Sequence, residues 1–178
     1  HYRPTDDSDP FQTDIVILSG KQDRFMPKFN YKGFQFVEVS SSAPIQLSDE
    51  NLIAVEMHSD VPIIGYWSSS SDLLNKIWKA TNSSYLANLF GYPTDCPQRE
   101  KNGWTGDAHI AIETGLYNFD GISIYEKWMN DFCDEQKDNG ILPCIIPTSV
   151  WGYDWANGVD WTSAVAIIPW EIYRFYGD

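Results

Sequence analysis

The chain has 178 residues, of which 43% are hydrophobic and 15% aromatic, so it can bury a core and is too apolar to be disordered. Twenty-five acidic against twelve basic residues give a formal net charge of −13, which repels phosphate backbones and anionic lipid headgroups. No apolar run reaches the roughly 18 residues that a membrane-spanning helix needs. We therefore expect neither nucleic-acid nor membrane partners.

The N-terminal part of the chain has the pattern of β-strands. After a polar segment, residues 1–12, which predicts a loose arm, apolar and polar residues nearly alternate in TDIVILS (13–19), GFQFVEVS (33–40) and NLIAVEMHS (51–59). This period favours strands with one buried and one solvated face. Three strands cannot close a sandwich alone, so they are predicted to be the edge of a larger β domain.

From Ser70 onward the apolar residues recur at helical spacing. The spacing predicts a helix to about Phe90, capped by Ser70 or Ser71, and further helices over about 107–117, 122–136 and 161–176. The last is apolar nearly all round and must be covered on most sides. Strands first and helices afterwards predict an α+β chain of two packing units, residues 1–66 and 67–178.

The loop between the first two predicted helices is unusually rich in charge. YPTDCPQREKNGWTGDAH (92–109) carries three carboxylates, Asp95, Glu100 and Asp107. Crowded carboxylates raise one another's pKa, and an aromatic wall adds desolvation in the same direction, so one of them can stay protonated and serve as an acid. Arg99 and Lys101 can keep the other two ionised, so that one site contains both a protonated acid and ionised carboxylates.

An acid and a carboxylate beside aromatic rings are typical of glycosidic bond cleavage. The bridging oxygen needs a proton, the hydroxyls need acceptors, and an aromatic ring fits the apolar face of a sugar. The segment SVWGYDWANGVDW (149–161) adds Trp151, Tyr153, Trp155 and Trp161 as a candidate sugar-binding wall. The alternative is a surface loop pinned by core aromatic residues.

The motif DCPQREKNGWTGDAH (95–109) resembles the signature of the α-L-rhamnosidase family of glycoside hydrolases. FNYKGFQFVEV (29–39) is similar to the strand that closes the family's β-sandwich, and KWMNDFCDEQKDNGILPCIIP (127–147) to the helix and loop after the signature. The resemblance implies the C-terminal part of a β-sandwich followed by the first helices of an (α/α) six-hairpin toroid. With about four helices, the toroid is expected to be incomplete and the chain to be a fragment.

The resemblance implies removal of terminal α-L-rhamnose with inversion, without a metal or cofactor. Glu100, counted back from the signature tryptophan, corresponds to the general acid, and the general base is expected outside this chain. The residues implied in sugar binding are Asp95, Arg99, Trp104, Asp107 and Trp161. A rhamnose-containing carbohydrate is the implied partner, and a periplasmic or secreted location is implied at the level of the family.

Other interpretations remain open at this point. The same residues would suit a carbohydrate-binding or scaffold module without catalysis. A thiol hydrolase using Cys96 and His109 is disfavoured, because neighbouring carboxylates oppose a thiolate. The three cysteines, Cys96, Cys133 and Cys144, have no CxxC spacing and are expected to be free thiols. Helix faces left uncovered by an incomplete toroid would favour self-association.

Overall fold

The computed structural model describes residues 12–154 and 158–178. The helices of these residues are α1 (Asp72–Ala87), α2 (Thr105–Asn118), α3 (Ile122–Glu135), α4 (Val159–Thr162) and α5 (Ala164–Tyr176). The first three agree with the predicted helices to within a few residues at each end. Apart from Gln12, the predicted N-terminal arm lies outside the described residues.

The predicted strands are not seen as strands. Within residues 12–66 none of the three segments pairs with another. Ile63 forms an isolated bridge with Phe119, the residue that follows α2. The apolar side chains of the three segments face solvent, as Ile17 (93% exposed) and Phe36 (89%) show. The predicted buried face is therefore absent from these segments. A strand needs a hydrogen-bonded neighbour, and these residues supply none to one another.

The core lies between α2, α3 and α5. Each helix contributes apolar side chains at helical spacing, and the fully or nearly fully buried ones are Ala108, Ile112, Leu116, Tyr125, Trp128, Phe132, Ala164, Ile168 and Ile172. Burying a large apolar side chain stabilises the fold by about 1.5–3 kcal/mol. The indole of Trp128 also donates a hydrogen bond of 2.8 Å to the carbonyl of Ile146, which fastens the segment after α3 to the core.

The predicted helix over 161–176 is divided in the structure. The short α4 ends at Thr162, and α5 begins after Ser163. Pro169 lies inside α5, where it has no N–H to donate. Helix α5 buries one face, whereas Trp170 and Tyr173 on another face are 57% and 58% exposed among the described residues. The cover that its sequence predicts is therefore only partly present in this chain.

The predicted hydroxyl cap of α1 is wrong. Ser71 occupies the N-cap position, but its side chain makes no capping hydrogen bond. Instead, the amide side chain of Asn75 accepts from the Ser69 N–H and donates to the Ser69 carbonyl. The longer amide side chain therefore reaches back to the segment before the helix.

None of the described helices is both long and apolar enough to span a bilayer.

Candidate active site

Residues 95–102 form a loop that is closed at its base. The N–H of Asp95 donates to the carbonyl of Asn102 at 3.0 Å, and the N–H of Asn102 donates to Oδ1 of Asp95 at 2.9 Å. Between them, Lys101 has a left-handed φ of 56°. Non-glycine residues adopt this conformation only where the surrounding structure holds them in it. The loop is therefore fixed rather than a loose connection.

The carboxyl group of Glu100 is held at both oxygens. Nη2 of Arg99 lies 3.0 Å from Oε1, and Nε1 of Trp104 donates to Oε2 at 2.9 Å. The Glu100 side chain is 22% exposed, whereas that of Arg99 is 50% exposed. Glu100 thus faces neither bulk solvent nor a helix cap, and its direction is set by Arg99 and Trp104.

Trp104 is placed by close backbone packing immediately before α2. Gly103 accepts a hydrogen bond of 2.9 Å from the N–H of Ile146, and a Cβ at this glycine would lie 2.0 Å from the Ile146 carbonyl oxygen. Trp104 itself forms an antiparallel bridge with Ile145. Only glycine permits this approach of the two backbones, which fixes the position of the indole.

Trp161 packs against the first turn of α2. Its ring lies over Gly106, where a Cβ would come within 2.6 Å of the indole, and its centroid is 6.3 Å from that of Trp104 in an edge-to-face arrangement. The hydroxyl of Thr105 donates to the Trp161 carbonyl at 2.9 Å, and Nε2 of His109 lies 2.8 Å from the Asp160 carbonyl. Residues separated by more than 50 positions therefore form one aromatic wall.

An open cleft of about 730 Å³ lies beside this wall, between α1 and α2. Asp95, Asp107 and Trp161 line it together with apolar and hydroxyl side chains of both helices, among them Thr81 and Ser84. Clefts of this size accept small organic ligands. Carboxylates beside an aromatic face provide acceptors for hydroxyl groups and a surface for C–H groups.

The pKa of Asp107 is raised above its ordinary value. Desolvation by the surrounding protein is the main cause, and the negative charges of Asp95 and Glu100 raise it further. A hydrogen bond from its own backbone N–H and the nearby His109 act in the opposite direction. The negative charges of Asp95 and Glu100 therefore reach Asp107 and favour its protonated form.

The predicted roles of Arg99 and Lys101 differ from what the structure shows, because Arg99 pairs with Glu100 itself and Lys101 bonds to Asn30 and Tyr31.

The structure brings all six predicted site residues into one cluster. Asp95, Asp107 and Trp161 line the cleft, and Arg99, Glu100 and Trp104 form a hydrogen-bonded chain next to it. Their predicted roles stay predictions.

Two further residues of the segment have contacts that sequence reasoning missed. Nζ of Lys101 donates to Oδ1 of Asn30 at 3.1 Å and to the Tyr31 carbonyl at 2.6 Å, so this lysine joins the loop to the N-terminal part. Cys96 contacts both Asp95 and Glu100. In the sequence, the only indication that Lys101 and Cys96 make such contacts is their position inside the charged motif.

The predicted sugar-binding wall is only partly formed. Trp161 lines the cleft, whereas the hydroxyl of Tyr153 donates to Oε2 of Glu135 at 2.9 Å and pins the segment after α3 to that helix. Trp155 lies outside the described residues. Tyr153 thus follows the alternative interpretation, a loop fixed by aromatic residues.

The thiol-hydrolase interpretation receives no support from the geometry. His109 directs Nε2 at the Asp160 carbonyl, and the Cys96 thiol donates to Oδ2 of Asp95 at 3.0 Å. All three cysteines are free, as expected.

A family model for the six-hairpin glycosidase domain of bacterial α-L-rhamnosidases matches residues 62–178. The chain belongs to the bacterial α-L-rhamnosidase family. A second model, for the concanavalin-like domain of bacterial α-L-rhamnosidases, matches residues 5–58. The chain thus combines parts of the two domains in the predicted order, while the division at residues 66 and 67 stays a prediction.

Proteins named α-L-rhamnosidase from several bacteria are similar to this chain. One from Alteromonas sp. (strain LOR) is 34% identical over 156 residues, and one from Formosa agariphila is 35% identical over 156 residues. Each alignment covers 86% of this chain and 17% of the relative. The chain therefore spans about a sixth of the length of these rhamnosidases.

Solved rhamnosidase structures have the same fold over the matched part. The α-L-rhamnosidase from Dictyoglumus thermophilum gives a TM-score of 0.64 at 40% identity, covering 68% of this chain and 14% of the other. The Streptomyces avermitilis α-L-rhamnosidase complexed with L-rhamnose gives 0.60 at 28% identity, covering 68% and 12%. The helical arrangement described above is thus that of the rhamnosidase family.

Proposed function

We propose that the full-length protein carrying this chain is an α-L-rhamnosidase that removes terminal α-L-rhamnose from glycosides or polysaccharides with inversion. The observation that supports this most directly is the Glu100 carboxyl group, which Arg99 and Trp104 fix beside a cleft lined by two further carboxylates. Family membership supplies the substrate class.

In this proposal Glu100 is the general acid. It transfers its proton to the glycosidic oxygen as the bond to the leaving group breaks. The guanidinium of Arg99 and the indole N–H of Trp104 then stabilise the carboxylate that remains. Before the transfer, one of the two carboxyl oxygens of Glu100 carries the proton that moves to the glycosidic oxygen.

The sugar is held by the remaining residues of the cluster. Asp95 and Asp107 accept hydrogen bonds from rhamnose hydroxyls, Arg99 is a further polar contact, and Trp104 and Trp161 pack on the C–H face of the ring. Each oxygen of a carboxylate has two lone pairs, so Asp95 can accept from a hydroxyl while it holds the loop.

The general base is proposed to lie outside this chain. An inverting pair stands roughly 6.5–9.5 Å apart, with water between the base and the sugar. Glu113 and Glu171 are both bound to Arg174, and Glu135 accepts hydrogen bonds from Thr148 and Tyr153. These three glutamates have structural partners, and none of them is proposed as the base.

Three further proposals concern the fold of the N-terminal part, the cellular location and self-association. Residues 13–59 are proposed to join further strands of a larger β-sandwich, supported by their alternating pattern and the match to the concanavalin-like domain. We also propose export to the periplasm or medium, to be checked by cell fractionation. Self-association of the isolated chain through the exposed side of α5, to be checked by light scattering, is a further proposal.

The decisive experiment compares the full-length protein with its Glu100→Gln variant on an aryl α-L-rhamnoside. We expect kcat to fall by about 10²–10⁴-fold while the dissociation constant of L-rhamnose changes little. The first-formed anomer, observed by NMR, should have the inverted configuration. The 178-residue chain alone should be inactive. A full-length protein that binds rhamnose without hydrolysing the glycoside would instead be a binding module.

A further inference from the structure

The thiol of Cys96 lies between the two carboxylate residues of the loop. It donates a hydrogen bond to Oδ2 of Asp95 at 3.0 Å and accepts one from the N–H of Glu100 at 3.2 Å. The residue is half-buried. One sulfur atom therefore contacts both the proposed proton donor's backbone and a proposed sugar-binding side chain.

The contact with Asp95 completes the restraint of that carboxylate. Oδ1 accepts from the N–H of Asn102, and Oδ2 accepts from the thiol, so the carboxylate plane cannot rotate without losing a bond. Each oxygen keeps a second lone pair for an incoming hydroxyl. The thiol therefore sets the direction in which Asp95 meets the sugar.

The hydrogen bond from the Glu100 N–H to the sulfur of Cys96 restrains the backbone of Glu100. The side chain of Glu100 is already directed by Arg99 and Trp104, but its Cα position depends on the turn from Cys96 to Glu100. The N–H bond to sulfur spans that turn. Because a misplacement of about 1 Å can cost on the order of 100-fold in rate, even a weak bond at this position matters.

We propose that Cys96 is a positioning residue of the rhamnosidase reaction, acting through Asp95 and Glu100 and taking no covalent part itself. The inference rests on the proposed function, because it needs Glu100 as the acid and Asp95 as a sugar ligand. It differs from the thiol-hydrolase interpretation in that the hydrogen-bonding capacity of Cys96, and not its nucleophilicity, is required.

The test compares Cys96→Ser with Cys96→Val in the full-length protein. Serine keeps a donor and an acceptor, whereas valine is apolar and fills the site without either. We expect Cys96→Val to lower kcat/KM by about 10–100-fold and to weaken L-rhamnose binding, while Cys96→Ser recovers most of the activity. Cys133→Val, at an exposed position of α3, is the matched control and should behave as the wild type.

A second readout separates placement of the acid from general loosening of the loop. Poor leaving groups depend on protonation more than activated ones do. The loss in Cys96→Val should therefore be larger for an alkyl α-L-rhamnoside than for a dinitrophenyl α-L-rhamnoside. If thermal unfolding shows that Cys96→Val is not folded, Cys96→Ala takes its place in the same comparison.

Some of the possible results overturn only the positioning role of Cys96, and one overturns the proposed function as well. Wild-type kinetics in Cys96→Val, equal losses in the serine and valine variants, or equal losses for both leaving groups each overturn the positioning role. The proposed function survives all three, since it depends on Glu100→Gln. A wild-type protein that hydrolyses no rhamnoside overturns both proposals together.

Discussion

The indole nitrogen of Trp104 donates a 2.9 Å hydrogen bond to Oε2 of Glu100, four residues earlier in the chain. Glu100 belongs to the loop, and Trp104 immediately precedes α2, which begins at Thr105. The bond therefore ties the orientation of a loop carboxyl group to a helix whose position is fixed by the core.

Replacing Trp104 by phenylalanine keeps an aromatic ring and removes the N–H. We expect kcat for rhamnoside hydrolysis by the full-length protein to fall by about 10–100-fold, because Glu100 loses one of its two orienting donors. Trp170→Phe, on α5 and outside the residues that line the cleft, is the control and should leave kcat unchanged. An unchanged kcat in Trp104→Phe would show that this bond does not serve catalysis.

Replacing Lys101 by methionine keeps the length of the side chain and removes its bonds to Asn30 and Tyr31. Since these are hydrogen bonds to a charged donor that is partly exposed, we expect the free energy of unfolding to fall by about 1–2 kcal/mol. Chemical denaturation of the full-length protein measures the change. Lys76→Met, on the exposed surface of α1, should have little effect, and equal losses in both variants would contradict the anchoring role.

Replacing Gly106 by alanine places a Cβ 2.6 Å from the Trp161 ring. The ring must move, so we expect altered tryptophan fluorescence and an L-rhamnose dissociation constant raised by about 10-fold or more. Gly121→Ala is the matched control, because its Cβ would meet its nearest neighbour at an ordinary 3.7 Å. Unchanged affinity in Gly106→Ala would remove Trp161 from the proposed site.

The raised pKa of Asp107 predicts a specific pH dependence of stability. The native protein holds this proton more tightly than the unfolded chain, so the native state binds more protons between the ordinary and the raised pKa. Stability linked to Asp107 is therefore full below the ordinary pKa and is lost as the pH rises through the raised one.

The measurement is the difference in unfolding free energy between the wild type and Asp107→Asn. We expect the wild type to lose stability relative to the variant as the pH rises from below the ordinary aspartate pKa of about 4 through the raised pKa of Asp107. Asp49→Asn, in an exposed turn, is carried through the same titration as the control. A difference that is constant, or that grows in the opposite sense, would contradict the raised pKa.

The helices could be predicted because their apolar residues recur at helical spacing and the same segments locally favour a helical backbone. Tyr125, Trp128 and Phe132 recur at helical spacing and are all buried in α3. The break at Ser163 could not be predicted, since the residues on both sides of it continue the apolar pattern. It arises where the turn carrying Trp161 docks on α2, which is a tertiary contact.

The predicted strands could not be verified from their own sequence, because one segment does not specify its pairing partner. Alternation in GFQFVEVS reports which side chains prefer burial, but sheet formation depends on a neighbour that the same segment does not encode. The site was more accessible to sequence reasoning, because Asp95, Glu100 and Trp104 are close in the chain. The bonds of Cys96 and Lys101 depend on how the loop closes and were beyond it.

The hydroxyl of Thr105 has a single proton and lies near two carbonyl oxygens, 3.1 Å from that of Cys144 and 2.9 Å from that of Trp161. The Cys144 oxygen already accepts the Thr105 N–H, so the hydroxyl proton is best used on Trp161. A threonine without any exposed surface thereby couples the stretch around Cys144 to the stretch around Trp161. Exchanging either stretch alone would deprive this buried threonine of one partner, so the two stretches and the threonine form one unit.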